Sequence, residues 1–242
     1  MKTYETRPYK KDLPYSYALG AFAAFELIDA KAEIAKAVYI HSKCRDAVKL
    51  ETLCLQKNIP LLYDDRVFSR ICPKENVYVI GVFEKYAADL NPKEVHVVLV
   101  NPGDMGNLGT IIRTLAAMNI CNLGIITPAA DILHPKTVRA SMGAIFRIRF
   151  EHFRTYDSYR QKYLRPNYLF MSDGETALSD CSPPADAAYT LIFGNEASGL
   201  PVEFASYGTS IRIPQSTLVD SLNLPVAVGI GSFFFASGRF IE

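Results

Sequence analysis

The stretch VHVVLVNPGDMGNLGTIIRTL, residues 95–115, decides the fold of this chain. An apolar, β-branched run leads into a glycine-rich turn, and an apolar-periodic segment begins near Gly106. This order predicts a buried strand, a tight loop and a helix, which is the outline of a nucleotide-binding unit. The loop therefore raises the question of which ligand it serves.

The spacing of the glycines argues against a dinucleotide-binding loop. Gly103, Gly106 and Gly109 read G-x-x-G-x-x-G, whereas the dinucleotide fingerprint is G-x-G-x-x-G. The next predicted strand, NLGIITP, ends in Thr127 and Pro128 and lacks the acidic residue that holds a ribose in those proteins. A nucleotide-dependent oxidoreductase is therefore the weakest of three functional hypotheses.

The same loop carries two polar side chains, Asn107 and Arg113. A helix that begins near Gly106 favours an anion at its N-terminus through its dipole and its free N–H groups. A guanidinium also binds phosphate bidentately, so the loop predicts recognition of a phosphate. For Arg113 taken alone, the alternative is an ordinary solvated helix residue.

Two further clusters end predicted strands. IFGNEASGL, residues 192–200, ends an apolar strand in a turn that suits close backbone approach to a ligand. SIRIPQSTLVDSLNLPVAV ends a strand at Pro214, before an apolar helix predicted over about residues 221–237. Ser221 is a candidate cap of that helix, and Asn223 is expected to be a buried amide that needs partners.

Together the three clusters resemble the motifs of the SpoU branch of the SPOUT class of S-adenosylmethionine-dependent RNA methyltransferases, which methylate ribose 2′-hydroxyls. The first motif is similar to GNLGTIIRT, the second to IFGNEASGL, and the third to IRIP followed by DSLNLPVAV. Pro225 departs from the family pattern where a serine is usual, and so does Gln215 where methionine is common. Proline is tolerated in a first helical turn, so these departures concern the target or the rate rather than the fold.

The resemblance implies roles for particular residues. Arg113 is expected to clamp the RNA phosphate and developing negative charge, because a guanidinium stays protonated and is a poor base. Glu196 is expected either to accept a proton or to hold its loop shut, and the general base is unassigned. The implied catalytic residues are Arg113, Asn107, Glu196, Ser221 and Asn223. The implied cofactor-binding residues are Gly194, Asn195, Ile213, Pro214, Leu222 and Asn223.

The predicted fold class is α/β, in two domains. Residues 1–92 are similar to a small L30e-like α/β domain that binds RNA, and residues 93–242 to a SPOUT domain. Fully apolar strands such as VVLV and TLIF predict a parallel sheet covered on both faces. The resemblance further implies a C-terminal trefoil knot and a homodimer with the last helix in or near the interface.

Local charge also points to RNA. Between Lys136 and Arg165 basic residues outnumber acidic ones and alternate with aromatics, a pattern that tracks phosphates and stacks on bases. The alternative is a solvated face whose aromatics point inward. The predicted RNA-binding residues are Arg113, Lys136, Arg139, Arg147 and Arg149. The aromatics of the stripe are Phe150, Phe153, Tyr156, Tyr159 and Tyr163.

The composition bears on the partners, the metal content and the location of the protein. The net charge of +1 says nothing about partners, and five cysteines without a CxxC pair predict neither a disulfide framework nor a metal site. A reducing cytoplasm, without membrane or metal, is expected. The leading hypothesis is a ribose 2′-O-methyltransferase acting on tRNA or rRNA, and the second is a non-catalytic RNA-binding relative.

Overall fold

The computed structural model describes residues 6–45, 47–73, 76–184 and 187–236. In chain order, the strands and helices are β1 (Tyr15–Leu19), α1 (Ala21–Lys31), β2 (Ala35–Ile40), α2 (Ala47–Gln56), β3 (Leu61–Tyr63), α3 (Asp65–Ile71), β4 (Val79–Glu84), β5 (His96–Val100), α4 (Met105–Ala117), β6 (Asn122–Ile126), α5 (Pro135–Ala140), β7 (Arg149–Phe153), α6 (Tyr156–Lys162), β8 (Asn167–Phe170), β9 (Thr176–Ala177), β10 (Thr190–Phe193), β11 (Thr209–Arg212) and α7 (Leu224–Ala236).

The chain forms two compact units. The first contains Met1–Tyr86 and Asp131–Arg147, and the second contains Ala87–Ala130 and Ile148–Glu242. The predicted boundary at residue 92 differs from this division in two ways. The first unit ends earlier, and it takes in residues 131–147, which the sequence analysis assigned to the second domain.

The first unit is built on a mixed four-stranded sheet in the order β1-β4-β2-β3, in which β4 is antiparallel to both β1 and β2. Alternate residues of β2 enter two separate cores. Tyr39 packs with Tyr17 on one face, and Val38 packs with Ile28 and Leu50 on the other. The period of two along the strand therefore buries both faces of the sheet.

Residues 131–147 are held to the first unit by specific polar contacts. The Ser16 hydroxyl donates to the Leu133 carbonyl at 2.5 Å. The Arg147 guanidinium donates to the carboxylates of Glu26 at 2.5 Å and Asp29 at 2.7 Å. Arg147 was predicted to bind RNA, but two carboxylates of its own unit already neutralise its charge. This pairing was invisible in the sequence because the partners lie far apart along the chain.

The second unit is an entirely parallel seven-stranded sheet in the order β7-β6-β5-β10-β8-β11-β9. The prediction of a parallel sheet from fully apolar strands is confirmed, since β5 and β10 are buried along their whole length and pair with each other. All strands of such a sheet end at one edge, so the segments after β5, β8, β10 and β11 come together there.

The aromatic residues of the basic stripe point into the second unit. Each of the five is buried, and four of them pack with Leu169 and Ile192 in one cluster. The prediction that they stack on RNA bases is therefore wrong, and the inward-facing alternative is right. They are buried because removing the large apolar area of an aromatic ring from water is favourable. The five are Phe150, Phe153, Tyr156, Tyr159 and Tyr163.

Candidate functional site

A cavity of about 250 Å³ opens in the second unit, where β8, β10 and β11 end and α7 begins. Its walls are the segments that follow those three strands, so the second and third motifs share it. Pro214 and Asn223 do not line it and are exposed. Six of the predicted site residues line it: Gly194, Asn195, Glu196, Ile213, Ser221 and Leu222.

The turn after β10 is tightly closed on itself. The backbone N–H of Asn195 donates to the Gly199 carbonyl at 3.2 Å, and the N–H of Gly199 donates to the Asn195 carbonyl at 2.9 Å. A Cβ on Gly194 would lie 2.1 Å from the carbonyl carbon of Gly199 and 2.3 Å from the nitrogen of Leu200. Only glycine at position 194 leaves room for this turn, which forms one wall of the cavity.

Asn195 fastens this turn to the end of β5. Its side-chain Nδ2 donates to the Asn101 carbonyl at 2.7 Å, and its Oδ1 accepts the backbone N–H of Ala197 at 2.9 Å. Asn101 follows β5, and Asn195 follows β10, the next strand in the sheet. The Nδ2 group therefore ties two neighbouring strand ends together, while Oδ1 holds the turn of Asn195 itself.

Glu196 binds the glycine-rich loop. Its carboxylate accepts the backbone N–H of Gly103 at 3.0 Å, the backbone N–H of Asp104 at 3.2 Å and Nδ2 of Asn107 at 3.2 Å. Partial burial opposes ionisation, but these bonds outweigh it and lower the pKa of Glu196 below its ordinary value. The geometry supports the loop-holding role of Glu196, since an acceptor with three donors and a lowered pKa is a poor general base.

Two carboxylates lie at the N-terminal end of α4. The helix begins at Met105, the Asp104 side chain caps it by accepting the N–H of Asn107 at 2.8 Å, and Glu196 takes the preceding N–H groups. Glu196 and Asp104 therefore occupy several N–H groups at this end of the loop, and recognition of an RNA phosphate by the loop stays a prediction. Glu196 lies too far along the chain for local sequence reasoning to show that it fills the position.

Arg113 lies in the middle of α4 and is exposed. It forms no hydrogen bond or ion pair with any residue in the described ranges of the chain, and it does not line the cavity. The neighbouring Thr114 faces α7, because a Cβ on Gly229 would lie 3.6 Å from its methyl group. The guanidinium is thus available to a ligand outside the cavity.

The start of α7 differs from the prediction. The helix begins at Leu224, and the Asn223 carbonyl accepts the N–H groups of Val226 at 2.9 Å and Ala227 at 3.0 Å. Asn223 is exposed at the helix end, so the expectation of a buried amide is wrong. Ser221 is too far from the helix to cap it and lines the cavity instead. The predicted helix end at residue 237 lies outside the described residues.

Four residues that no sequence motif predicted as site residues complete the cavity wall. Ser172 and Asp173 follow β8, and Gln215 and Asp220 belong to the segment between β11 and α7. Ser172 and Asp173 end the segment NYLFMSD, residues 167–173, which begins with β8. Strand order alone brings its end beside those of β10 and β11.

The predicted RNA-binding residues do not form one surface within a single unit. Lys136 and Arg139 are exposed on α5 of the first unit, whereas Arg149 lies in the second unit and donates to the Asp89 carbonyl at 3.3 Å. Lys162 of the same stripe pairs with Asp89 at 2.7 Å and with Glu151. Several basic groups of the stripe therefore have partners within the protein.

Neither a metal cluster nor a membrane span is found among the described residues. Within those ranges, His, Cys, Asp and Glu side chains form no group of three or more that would hold a metal ion. Among the helices described, none combines the length and the apolar character that crossing a bilayer requires.

Comparison with known proteins gives consistent matches. Residues 94–233 match the model of the SpoU rRNA methylase family. The chain is 31% identical over 150 residues to the 23S rRNA (adenosine(1067)-2′-O)-methyltransferase of Streptomyces laurentii, covering 59% of this chain and 54% of that protein. It is 30% identical over 132 residues to the 23S rRNA (guanosine(2553)-2′-O)-methyltransferase of Bacillus subtilis, covering 52% of each. The chain thus spans about half the length of these relatives.

The fold has a close counterpart among solved structures. The crystal structure of an AdoMet-bound rRNA methyltransferase from Sinorhizobium meliloti superposes with a TM-score of 0.80 at 27% identity. The match covers 95% of this chain and 89% of that one. Since the family model covers more than half of the sequence, including all three motifs, the chain belongs to the SpoU rRNA methylase family.

Proposed function

We propose that the protein transfers the methyl group of S-adenosylmethionine to a ribose 2′-hydroxyl of a structured RNA, tRNA or rRNA. The observation that carries the proposal is the assembly of the second and third family motifs around the cavity bounded by Gly194, Ile213 and Leu222, with the loop of the first motif bound to the second motif by Glu196. The named relatives are rRNA 2′-O-methyltransferases, and the Sinorhizobium protein binds AdoMet.

The walls of the cavity fit this cofactor. Apolar side chains such as Phe170, Phe193 and Leu222 suit an adenine ring and a methionine chain, and the tight turn at Gly194 allows backbone contact. The described residues that line the cavity include carboxylates but no Lys, Arg or His. A dinucleotide with its phosphates fits such a lining poorly, which further weakens the oxidoreductase hypothesis.

The cofactor, when bound, supplies an activated methyl group, and the protein supplies alignment. Gly194, Ile213 and Leu222 would hold it, while Glu196 keeps the first-motif loop against the second-motif turn. Arg113 would bind the RNA phosphate and stabilise charge that develops on the ribose oxygen. The group that takes the hydroxyl proton is unassigned.

The proposed function is tested by incubating the protein with methyl-labelled S-adenosylmethionine and total RNA, then digesting the RNA to nucleosides. Label in 2′-O-methylnucleosides is the expected result. Label on a base would contradict the ribose assignment. Binding of RNA without any label would favour the non-catalytic relative instead. An RNA substrate also favours a cytoplasmic location for the proposed reaction.

We propose that the first unit is the L30e-like RNA-binding domain. At one edge of its sheet, β2 ends beside the start of β4, and the His41 N–H donates to the Tyr78 carbonyl at 3.0 Å. Tyr78 is 41% exposed there, and the loop after β2 presents Lys43 and Arg45 to solvent. An exposed aromatic beside cations suits an unpaired base and its phosphates.

The double substitution Lys43→Ala and Arg45→Ala is expected to weaken RNA binding about tenfold at low salt, because it removes two phosphate contacts. Cofactor affinity should not change, since both residues lie in the first unit. Filter binding across a salt series measures the effect. The double variant Lys10→Ala and Lys11→Ala removes the same charge elsewhere in that unit, and an equal loss there would show that the loop has no special role.

We also propose a homodimer formed through α7. One face of this helix leaves Val226, Ile230 and Phe233 exposed by 49%, 39% and 56%. These residues recur at helical spacing, and a second copy would cover them by packing the same face against itself.

Ile230→Glu is expected to convert the dimer to a monomer in sedimentation velocity. A native protein that is already monomeric at micromolar concentration would contradict this proposal.

The trefoil knot is likewise a proposal. It is supported by the path of the chain after β11, which lies next to the edge strand β9, while α7 returns to pack on α4 and β10. The segment between β11 and α7 therefore travels from near the sheet edge back to its middle. Tracing residues 194–224 in an electron-density map tests the threading directly.

A further inference from the structure

Two carboxylates in the cavity wall have no role in the proposed function so far. Asp173 follows β8 and Asp220 precedes α7, so they belong to separate walls of the same cavity. Both are exposed to solvent. The Asp220 carbonyl accepts a hydrogen bond from Nε2 of Gln215 at 3.2 Å, and this bond leaves the Asp220 carboxylate uninvolved.

The charged side chains that line the cavity are all negative among the described residues. Glu196 is the third carboxylate, and it already accepts hydrogen bonds from Gly103, Asp104 and Asn107. Asp173 and Asp220 therefore carry the negative charge that faces the cavity, and the described lining residues offer no cationic side chain to balance it. A pocket of one sign favours a ligand of the opposite sign.

The proposed reaction changes the charge of the cofactor by one. The bond from the sulfonium to its methyl group breaks as the bond from the ribose oxygen to that methyl group forms, and the hydroxyl proton passes to base or solvent. The sulfonium takes the electron pair and becomes a neutral thioether. The substrate form of the cofactor therefore carries one more positive charge than the product form.

We infer that Asp173 and Asp220 are specificity-determining residues that make this cavity prefer the sulfonium cofactor over its thioether product. This inference rests on the proposed function. Because both carboxylates are in contact with solvent, each is expected to favour the charged form by only about three- to tenfold. The preference should weaken with added salt, since ions screen exposed charges. Such a bias would help product leave after each turnover.

The test measures binding by calorimetry, without RNA, so it does not depend on activity. The ligands are S-adenosylmethionine, its amine analogue sinefungin, which retains a positive charge in place of the sulfonium, and neutral S-adenosylhomocysteine. The variants are Asp173→Asn and Asp220→Asn, which keep size and remove charge. Glu203→Gln, an exposed carboxylate of the same unit that does not line the cavity, is the matched control.

Each aspartate variant is expected to lose about three- to tenfold in affinity for the two cations and less than about twofold for S-adenosylhomocysteine. The control should bind all three ligands as the native chain does. Equal losses for all three ligands, or no loss, would overturn the charge preference. Failure of the native chain to bind any of them would overturn the proposed function, a result distinct from a selective loss.

Discussion

Replacement of Arg113 by alanine is expected to abolish methyl transfer while leaving the affinity for S-adenosylmethionine almost unchanged. Arg113 is exposed on α4 and does not line the cavity, so its loss leaves the cofactor walls intact. Removing a donor that stabilises developing charge costs about 10²- to 10³-fold in rate. Single-turnover transfer and cofactor calorimetry on the same preparation separate the two effects.

Arg113→Lys is the matched control for this prediction. A lysine keeps the charge but loses the planar fork that binds a phosphate bidentately, so partial activity is expected. Equal losses of transfer and cofactor affinity in Arg113→Ala would show that the residue belongs to the cofactor site. Unchanged transfer would show that it is an ordinary solvated helix residue.

Replacement of Gly194 by alanine is expected to have the opposite signature, with cofactor binding lost along with activity. A new Cβ would meet backbone atoms of Gly199 and Leu200 at 2.1 to 2.3 Å, and backbone cannot move aside as a side chain does. Overpacking of this kind costs about 1–3 kcal/mol or more, which corresponds to a loss of about five- to 140-fold in affinity if the turn opens. Calorimetry and thermal unfolding measure the two consequences.

Two other glycines serve as controls for Gly194. Gly103 has only ordinary contacts near a new Cβ, at 3.7 Å, so Gly103→Ala should bind cofactor normally. Gly199 has a φ of +65° but open space around it, so Gly199→Asn tests backbone conformation without a clash. If Gly103→Ala were as damaging as Gly194→Ala, the steric explanation would be wrong.

Patterns along the chain were reliable where the signal was local. The apolar runs of β5 and β10 indicated a parallel sheet because strands buried on both faces have no polar alternation. The three motifs were recognisable because each is a short, continuous segment that lies at or after the end of one strand. Gly194, Ile213 and Leu222, which the motifs predicted to bind the cofactor, line one cavity, and their binding of the cofactor stays a proposal.

Errors arose where a residue's neighbours come from distant sequence. Asn223 was expected to be buried because it lies in an apolar run, but it falls just before the first turn of α7 and faces solvent. The aromatics of the basic stripe were predicted either to stack on RNA or to point inward, and Tyr156 and Tyr159 on α6 lie in the core. In both cases a helix boundary or a helix orientation, rather than composition, decided exposure.

The sequence by itself determined the α/β class, the parallel sheet and the three segments that end at its carboxyl edge, because these depend on local periodicity and turn chemistry. Only the tertiary structure showed that Glu196 occupies the helix end at Gly103 and Asp104, and that Asp173 shares a cavity with Asp220. The physical reason is strand order: it brings together segments far apart in the chain, and no local pattern encodes which strand lies beside which.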